Sequence, residues 1–323
     1  GISYEYAASP SFPPYHLITA VIPNFFGTLL HSNYWSLFPF WQFAIYAGVF
    51  SLVLAFLAFR RKNPFVVFFA ATLIASLFLA LGKYTPFYYF LYKFVPLFDK
   101  FRAPSRFLFF YIFSLSLLAG FGMNYLAGVW EKPDKKFFKK STVFLAIIAV
   151  LSLFAFAGSM LFKGKILDFG NNLLESKYSK SDIELRPLKY YKEKIESSFS
   201  EISQGIFIFA IILASIVMLL FLWNRKIISL NSFKLLAFVI IIADLWLFSM
   251  PFIDVRSPDF AYTQKEIPSF LTSDKSHFRV LDLTNSLPQE TGVRYGLQQI
   301  GGYDPMILAY YRQYVSEMAG IPS

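Results

Sequence analysis

Cysteine is absent, histidine occurs three times, and charged residues make up only 15% of the 323-residue chain. Without thiols there is neither a disulfide framework nor a thiolate metal site, so a metal would have to rest on carboxylates and the three imidazoles. No cofactor is expected, with a carboxylate-held divalent metal left open. Also missing are H-E-x-x-H, a phosphate-cradling glycine loop of the Walker type, a dinucleotide fingerprint and G-x-S-x-G, which leaves ATP-driven and soluble-hydrolase chemistry without support. The shortage of charge is the most telling absence, because soluble domains are about one quarter charged. In its place stand 56% hydrophobic and 20% aromatic residues with a mean hydropathy of +0.50. That composition is the mark of an integral membrane protein. A net charge of +10 raises the question of nucleic acid, but in a membrane protein cations must first be sorted by side. Sorted in this way, as follows, most of them need no nucleic-acid partner.

A membrane-crossing helix needs about 20 apolar residues. Six segments meet that expectation: Pro39–Phe59, Pro64–Leu81, Phe107–Val129, Ser141–Phe162, Ser203–Trp223 and Leu235–Met250. Three of the pieces between them are short and basic, namely Arg60-Arg61-Lys62, Glu131–Lys140 and Asn224–Lys234. The excess of lysine and arginine in cytoplasmic loops puts these three on the cytoplasmic side. Residues 1–38, the loops 82–106 and 163–202, and the tail 251–323 then face outward. The expected fold is an α-helical polytopic membrane protein with about six transmembrane helices over 39–250, interfacial helices, and a small extracytoplasmic α+β C-terminal lobe. Both ends lie outside, and the chain reads as an internal piece of a longer protein.

The outward pieces carry more pattern than connectors need. SFPPYHLITAVIPNFFG and TPFYYFLYKFVPLF are short apolar-aromatic runs bounded by prolines, suited to the membrane interface. Loop 163–202 holds eight Lys/Arg against seven Asp/Glu. Pro187–Ser200 reads as an amphipathic surface helix, and no site chemistry is assigned to that loop. In the tail, His277–Ser286 alternates like a strand, and Asp304-Pro305 opens a helix running to about Met318.

Loop 82–106 breaks the charge rule, with Lys83, Lys93, Lys100, Arg102 and Arg106 against the single acid Asp99. Pro104 should hold Ala103 extended and start the next span at Pro104 or Ser105. Free N–H groups of that helix start, Arg102 and Arg106 would then converge on an anion, with phosphate or pyrophosphate as the natural occupant. The competing readings are snorkelling to ordinary headgroups, or pairing of Arg102 with Asp99. Asp244 lies about six residues below the outer end of the sixth span, where a short carboxylate needs a polar cavity or donors from a neighbouring span. It is either a cavity wall beside the anion site or a capped packing residue. His16, in an aromatic segment, reads more simply as a hydrogen-bonded structural residue than as a base or ligand. Asp304 is an N-cap, or with Tyr303 a sugar-binding edge.

These residues resemble a known family. PNFFGTLLHSNYWS (Pro23–Ser36), FDKFRAPSRFLFFYIFSLSLLAGFG (Phe98–Gly122), ADLW (Ala243–Trp246) and GGYDPMILAYYRQYV (Gly301–Val315) are similar to the bacterial YfhO-type membrane proteins. Those in turn resemble the GT-C class of polytopic glycosyltransferases. The resemblance implies a multi-pass protein of the bacterial cytoplasmic membrane that transfers a sugar from a polyprenyl-phosphate-linked donor to a cell-envelope glycopolymer or glycolipid acceptor outside. Arg102 and Arg106 match the motif and would hold the donor phosphate, with Lys83, Asp244, His16, Tyr303 and Asp304 as further substrate contacts. The catalytic acid such enzymes carry in their first outer loop has no matching position here. A lipid-linked-sugar flippase and an envelope assembly scaffold are the alternatives.

Overall fold

The computed structural model describes residues 2–37, 40–60, 63–129, 135–178, 187–255, 266–282, 287, 291–300 and 309–319. The chain divides into two units, Gly1–Ile253 and Asp254–Ser323.

In the first unit a single turn, α1 (Tyr4–Ala7), precedes α2 (Val49–Ala58), α3 (Pro64–Ala80), α4 (Pro86–Phe94), α5 (Leu108–Gly128), α6 (Lys135–Leu161), α7 (Lys163–Tyr178), α8 (Leu188–Asn224) and α9 (Leu230–Ser249). Four helical stretches are long and apolar enough to cross a membrane: Pro104–Gly128, Phe138–Leu161, Leu188–Asn224 and Leu230–Phe252. The chain is a helical membrane protein. Only four of the six expected spans reach that length, and the reason is local. Across Pro39–Phe59 an apolar run reads as continuous, yet the helix begins only at Val49, because Gly48 adopts φ +86°. Ten residues of α2 rise about 15 Å, roughly half a hydrocarbon core. The seventeen of α3 rise about 25 Å, just short of it.

A half-length helix is tolerated because α2 is enclosed by protein. Val49, Phe50, Leu54, Leu57 and Ala58 are all buried. Helix α2 packs on α5, α8 and α9, so its irregular entry meets side chains rather than lipid. By contrast, α6 and α9 leave large apolar side chains such as Phe154, Leu161, Leu235 and Phe238 open, as lipid-facing helices should.

The expected surface helix at Pro187–Ser200 is no separate element. Pro187 caps a helix that runs unbroken to Asn224, and 37 residues would rise about 55 Å, well beyond a bilayer core. Its first turns therefore project past the apolar zone. Alongside them runs α7, held by a Lys163–Glu196 ion pair of 3.5 Å and by Lys192 against Glu175.

The second unit contains α10 (Glu266–Ser273), α11 (Thr291–Tyr295) and α12 (Ala309–Ala319). Of the strand expected over His277–Ser286, residues 283–286 lie outside the described residues; the described part holds one isolated parallel bridge between Val280 and Gln299, and the described residues contain no strand. Val280 donates to the Gln298 carbonyl and accepts from Ile300, both at 2.8 Å. The regular structure described in the lobe is helical, joined by irregular segments.

Candidate functional site

The loops that carry Lys83, Arg102 and Arg106 meet at the end of the bundle where α3 stops and α5 starts. The organiser is the segment Ala7–Phe12. Phe12 is fully buried and donates its N–H to the Ala80 carbonyl at 2.8 Å, while Ser11 Oγ accepts the Lys83 N–H at 2.9 Å. A Cβ on Gly82 (φ +50°) would lie 2.1 Å from Ser11 Oγ and 2.6 Å from Pro104 Cγ, so only glycine lets the loops approach this closely. Lys83 is thereby seated beside the Arg102–Arg106 turn.

The turn itself differs from expectation in two respects. Ala103 is not extended but left-handed (φ 63°, ψ 71°), a conformation that L-residues adopt at a cost of about 1–2 kcal/mol. It is held there by its N–H to the Ala7 carbonyl at 3.2 Å and by its own carbonyl accepting from Arg106 at 3.0 Å. The helix start at Pro104 is as expected, but its N–H groups are not all free: Ser105 donates to the Pro10 carbonyl at 3.2 Å. What faces outward is the pair of guanidinium groups. Arg102 stacks 4.1 Å from the centre of the Tyr6 ring and donates to Tyr6 Oη at 2.7 Å and to the Ser9 carbonyl at 3.4 Å. Asp99 reaches Lys100 at 3.6 Å instead of Arg102. Arg106 is exposed and makes no side-chain hydrogen bond or ion pair with the described residues.

His16 is buried, stacked 4.2 Å from Phe26 and bonded through Nε2 to Ser36 Oγ at 2.6 Å. Its Nδ1 is buried without a partner. Burial pushes its pKa down to about 4, so the ring is neutral near pH 7. Its neighbours Phe12 and Phe43 make it part of an aromatic cluster.

Asp244 stands apart from the cations. It is 3% exposed, and its two oxygens accept from the Val49 N–H (2.8 Å) and from the Tyr46 hydroxyl. The carboxylate of α9 thus caps the N-terminus of the broken helix α2, satisfying an orphan donor and opposing the positive helix end. A Cβ on Gly48 would lie 3.1 Å from Asp244 Oδ2, which ties the glycine to the cap.

Asp244 and Tyr46 also line a cavity of about 200 Å³ between residues 21–31, α8 and α9. None of Lys83, Arg102 and Arg106 lines it. Sequence reading missed the residues on its far wall. Glu201, in the loop to which no site chemistry was assigned, is bonded through Oε1 to His31 Nδ1 and to Thr28 Oγ1 (3.3 Å), while its Oε2 is buried without a partner. Asn24 Oδ1 is likewise buried and unpartnered. Loop 28–33 is fixed on α8 by Asn33 Nδ2 to Ser197 Oγ at 2.7 Å. The signal for Glu201 was its place two residues ahead of an apolar run, and His31 and Asn24 lie in the quoted stretch Pro23–Ser36, where no role was assigned to them. Tyr303 and Asp304 lie outside the described residues. Among the described residues no group of three or more His, Asp or Glu could hold a metal ion.

No family model, curated protein or solved structure matches the chain.

Proposed function

We propose that the chain is the membrane region of a YfhO-type, GT-C-like glycosyltransferase. It transfers a sugar from a polyprenyl-phosphate donor to an envelope acceptor on the outer face of the bacterial cytoplasmic membrane. All six apolar segments then count as membrane segments, the half-helix α2 included, and both ends lie outside. One observation carries the reading. In the first unit every buried Ser, Thr, Asn, His and Asp residue, from Ser11, His16, Thr28 and Asn33 through Ser76, Ser105 and Ser114 to Ser203 and Asp244, belongs to the half of the bundle where α3 and α9 end and α5 starts. Among the described residues, the opposite half buries no Ser, Thr, His or carboxylate side chain, and its sealed polar atoms include Trp223 Nε1 and Asn224 Oδ1 at the far end of α8. A flippase needs polar groups along a route through the bilayer, whereas a transferase working at one face needs them only there. The opposite end carries Arg60, Lys139, Lys140, Arg225, Lys226 and Lys234, in keeping with a cytoplasmic side.

In this reading Arg102 and Arg106 hold the donor phosphate and neutralise the charge that develops on it as the sugar leaves. The test is binding of a polyprenyl-phosphate sugar to the purified chain and its Arg102→Lys and Arg106→Lys variants. Lysine keeps the charge but loses the planar fork. Each lost contact should cost about 1.5–3 kcal/mol, roughly ten- to a hundredfold in affinity. Arg106→Lys is the more diagnostic variant, because Arg106 makes no side-chain hydrogen bond or ion pair with the described residues for lysine to disturb. Equal affinities would leave the two arginines as interfacial anchors.

A further inference from the structure

At the end of the bundle opposite Arg102 and Arg106, the start of α6, the end of α8 and the start of α9 meet around Trp223. Its ring lies 4.6 Å from that of Phe138 and 5.8 Å from that of Phe233, and all three are buried. Each is followed by exposed cations: Lys139 and Lys140 after Phe138, Arg225 and Lys226 after Trp223, and Lys234 after Phe233. The aromatic contact thus gathers five positive charges from three helix termini. None of the four lysines makes an ion pair with the described residues, and Asn224–Lys234 contains no acid.

Two details point to what meets these charges. Helix α8 ends in a Schellman cap, in which Lys226 donates to the Trp223 carbonyl at 2.9 Å and Ile227 to the Leu222 carbonyl at 3.0 Å. The residue that turns left-handed in such a cap is usually glycine, yet here it is Lys226 at φ 55°. The cap is made in spite of the side chain, and no described residue pairs with the ammonium to account for it. The second detail is the apolar surface between the cations. Arg225 lies 5.4 Å from the centre of the half-exposed Phe221 ring, one turn back into the span. Ile227 is 64% exposed, and Lys234 is bordered by the exposed Leu235 and Phe238. Cations serving nucleic acid or an acidic protein would face water alone. Here they alternate with lipid-facing side chains, which suits a ligand that is anionic at one end and hydrocarbon at the other.

We propose that this junction of α6, α8 and α9 binds an anionic phospholipid, with Lys139, Lys226 and Lys234 donating to its phosphate and its acyl chains lying against Phe221 and Phe238. The site depends neither on the transferase reading nor on which leaflet this end faces.

The experiment titrates the full chain, in zwitterionic detergent micelles, with phosphatidylglycerol or phosphatidylcholine and reads the apparent affinity from the rise in Tm. Polyglutamate in place of lipid is a separate arm. Phosphatidylglycerol should raise Tm well beyond phosphatidylcholine. A cation near a membrane surface contributes about fivefold. Lys234→Gln and Lys226→Gly should therefore each weaken phosphatidylglycerol binding by that factor, and the triple variant with Lys139→Gln by about a hundredfold. Lys226→Gly is the sharper case. Glycine suits the cap, so its Tm without lipid should equal or exceed that of the wild type while its lipid affinity falls. Lys189→Gln, which removes the same charge at the other end of α8, should bind lipid as the wild type does. If the triple variant does not fold, the two single variants decide. Equal responses to the two lipids, wild-type affinity in the folded single variants, an equal loss in Lys189→Gln, or tighter binding of polyglutamate than of phosphatidylglycerol would overturn the proposal.

Discussion

Replacing Asp244 tests how a broken helix is held inside a membrane protein. Its carboxylate accepts from the Val49 N–H at the start of α2 and from the Tyr46 hydroxyl, at 3% exposure. Asp244→Ala strands both donors, at about 1–3 kcal/mol each. It also removes an anion from a helix N-terminus, worth up to about 2 kcal/mol in a partly buried setting. The expected loss is therefore about 2–8 kcal/mol. Asp244→Asn keeps one acceptor oxygen and turns an amide N–H₂ towards the other donor, so about 1–3 kcal/mol is lost. Tyr46→Phe removes one hydrogen bond to a charged group, about 1.5–3 kcal/mol. Because Tyr46 and Asp244 share that bond, the double variant Tyr46→Phe/Asp244→Asn should fall short of the sum of the singles by at least about 0.5 kcal/mol. The assay is reversible unfolding in mixed micelles, followed by far-ultraviolet circular dichroism. Unchanged stability of Asp244→Asn, together with strict additivity with Tyr46→Phe, would refute the cap.

Two further outcomes are expected. With a folded-state pKa near 4 against about 6.5 in the unfolded chain, His16 takes up its proton mainly on unfolding. Its contribution is intact above pH 6.5 and declines as pH falls towards 4, by up to about 3 kcal/mol. Denaturation midpoints measured from pH 7 to 4 should show that decline in the wild type and a shallower one in His16→Phe; parallel curves would remove His16 as the cause. As the natural sequence has no cysteine, single cysteines at Asn172, on α7, and at Asn231, at the start of α9, report sidedness directly. An impermeant maleimide added to whole cells should label the first and spare the second, and the reverse pattern would invert the topology and remove the outer-face site.

Much of the membrane character was legible in the chain. Apolar runs such as Phe107–Val129 and Ser203–Trp223 decide helix and membrane together, since lipid leaves the backbone no partner but itself. Pro104 and Pro187 mark real helix starts, because proline's missing N–H is no loss there. The position of Asp244 was enough to demand a partner, since a carboxylate at that depth is not left bare. Which partner it found, only the tertiary structure decided. Val49 and Tyr46 stand 195 and 198 residues away in sequence, and the break that frees the Val49 N–H sits inside an unbroken apolar run. The left-handed Ala103 follows from the carbonyls of residues 7 and 10 docking on the turn, a long-range contact that outweighs the local preference of a residue before proline. Glu201, Asn24 and His31 share a cavity only because loop 28–33 is tied to the projecting turns of α8. Periodicity records which face of a helix is apolar, but a site built from segments some 170 residues apart depends on which faces meet. That is settled by packing, where the whole chain competes for the same buried surface.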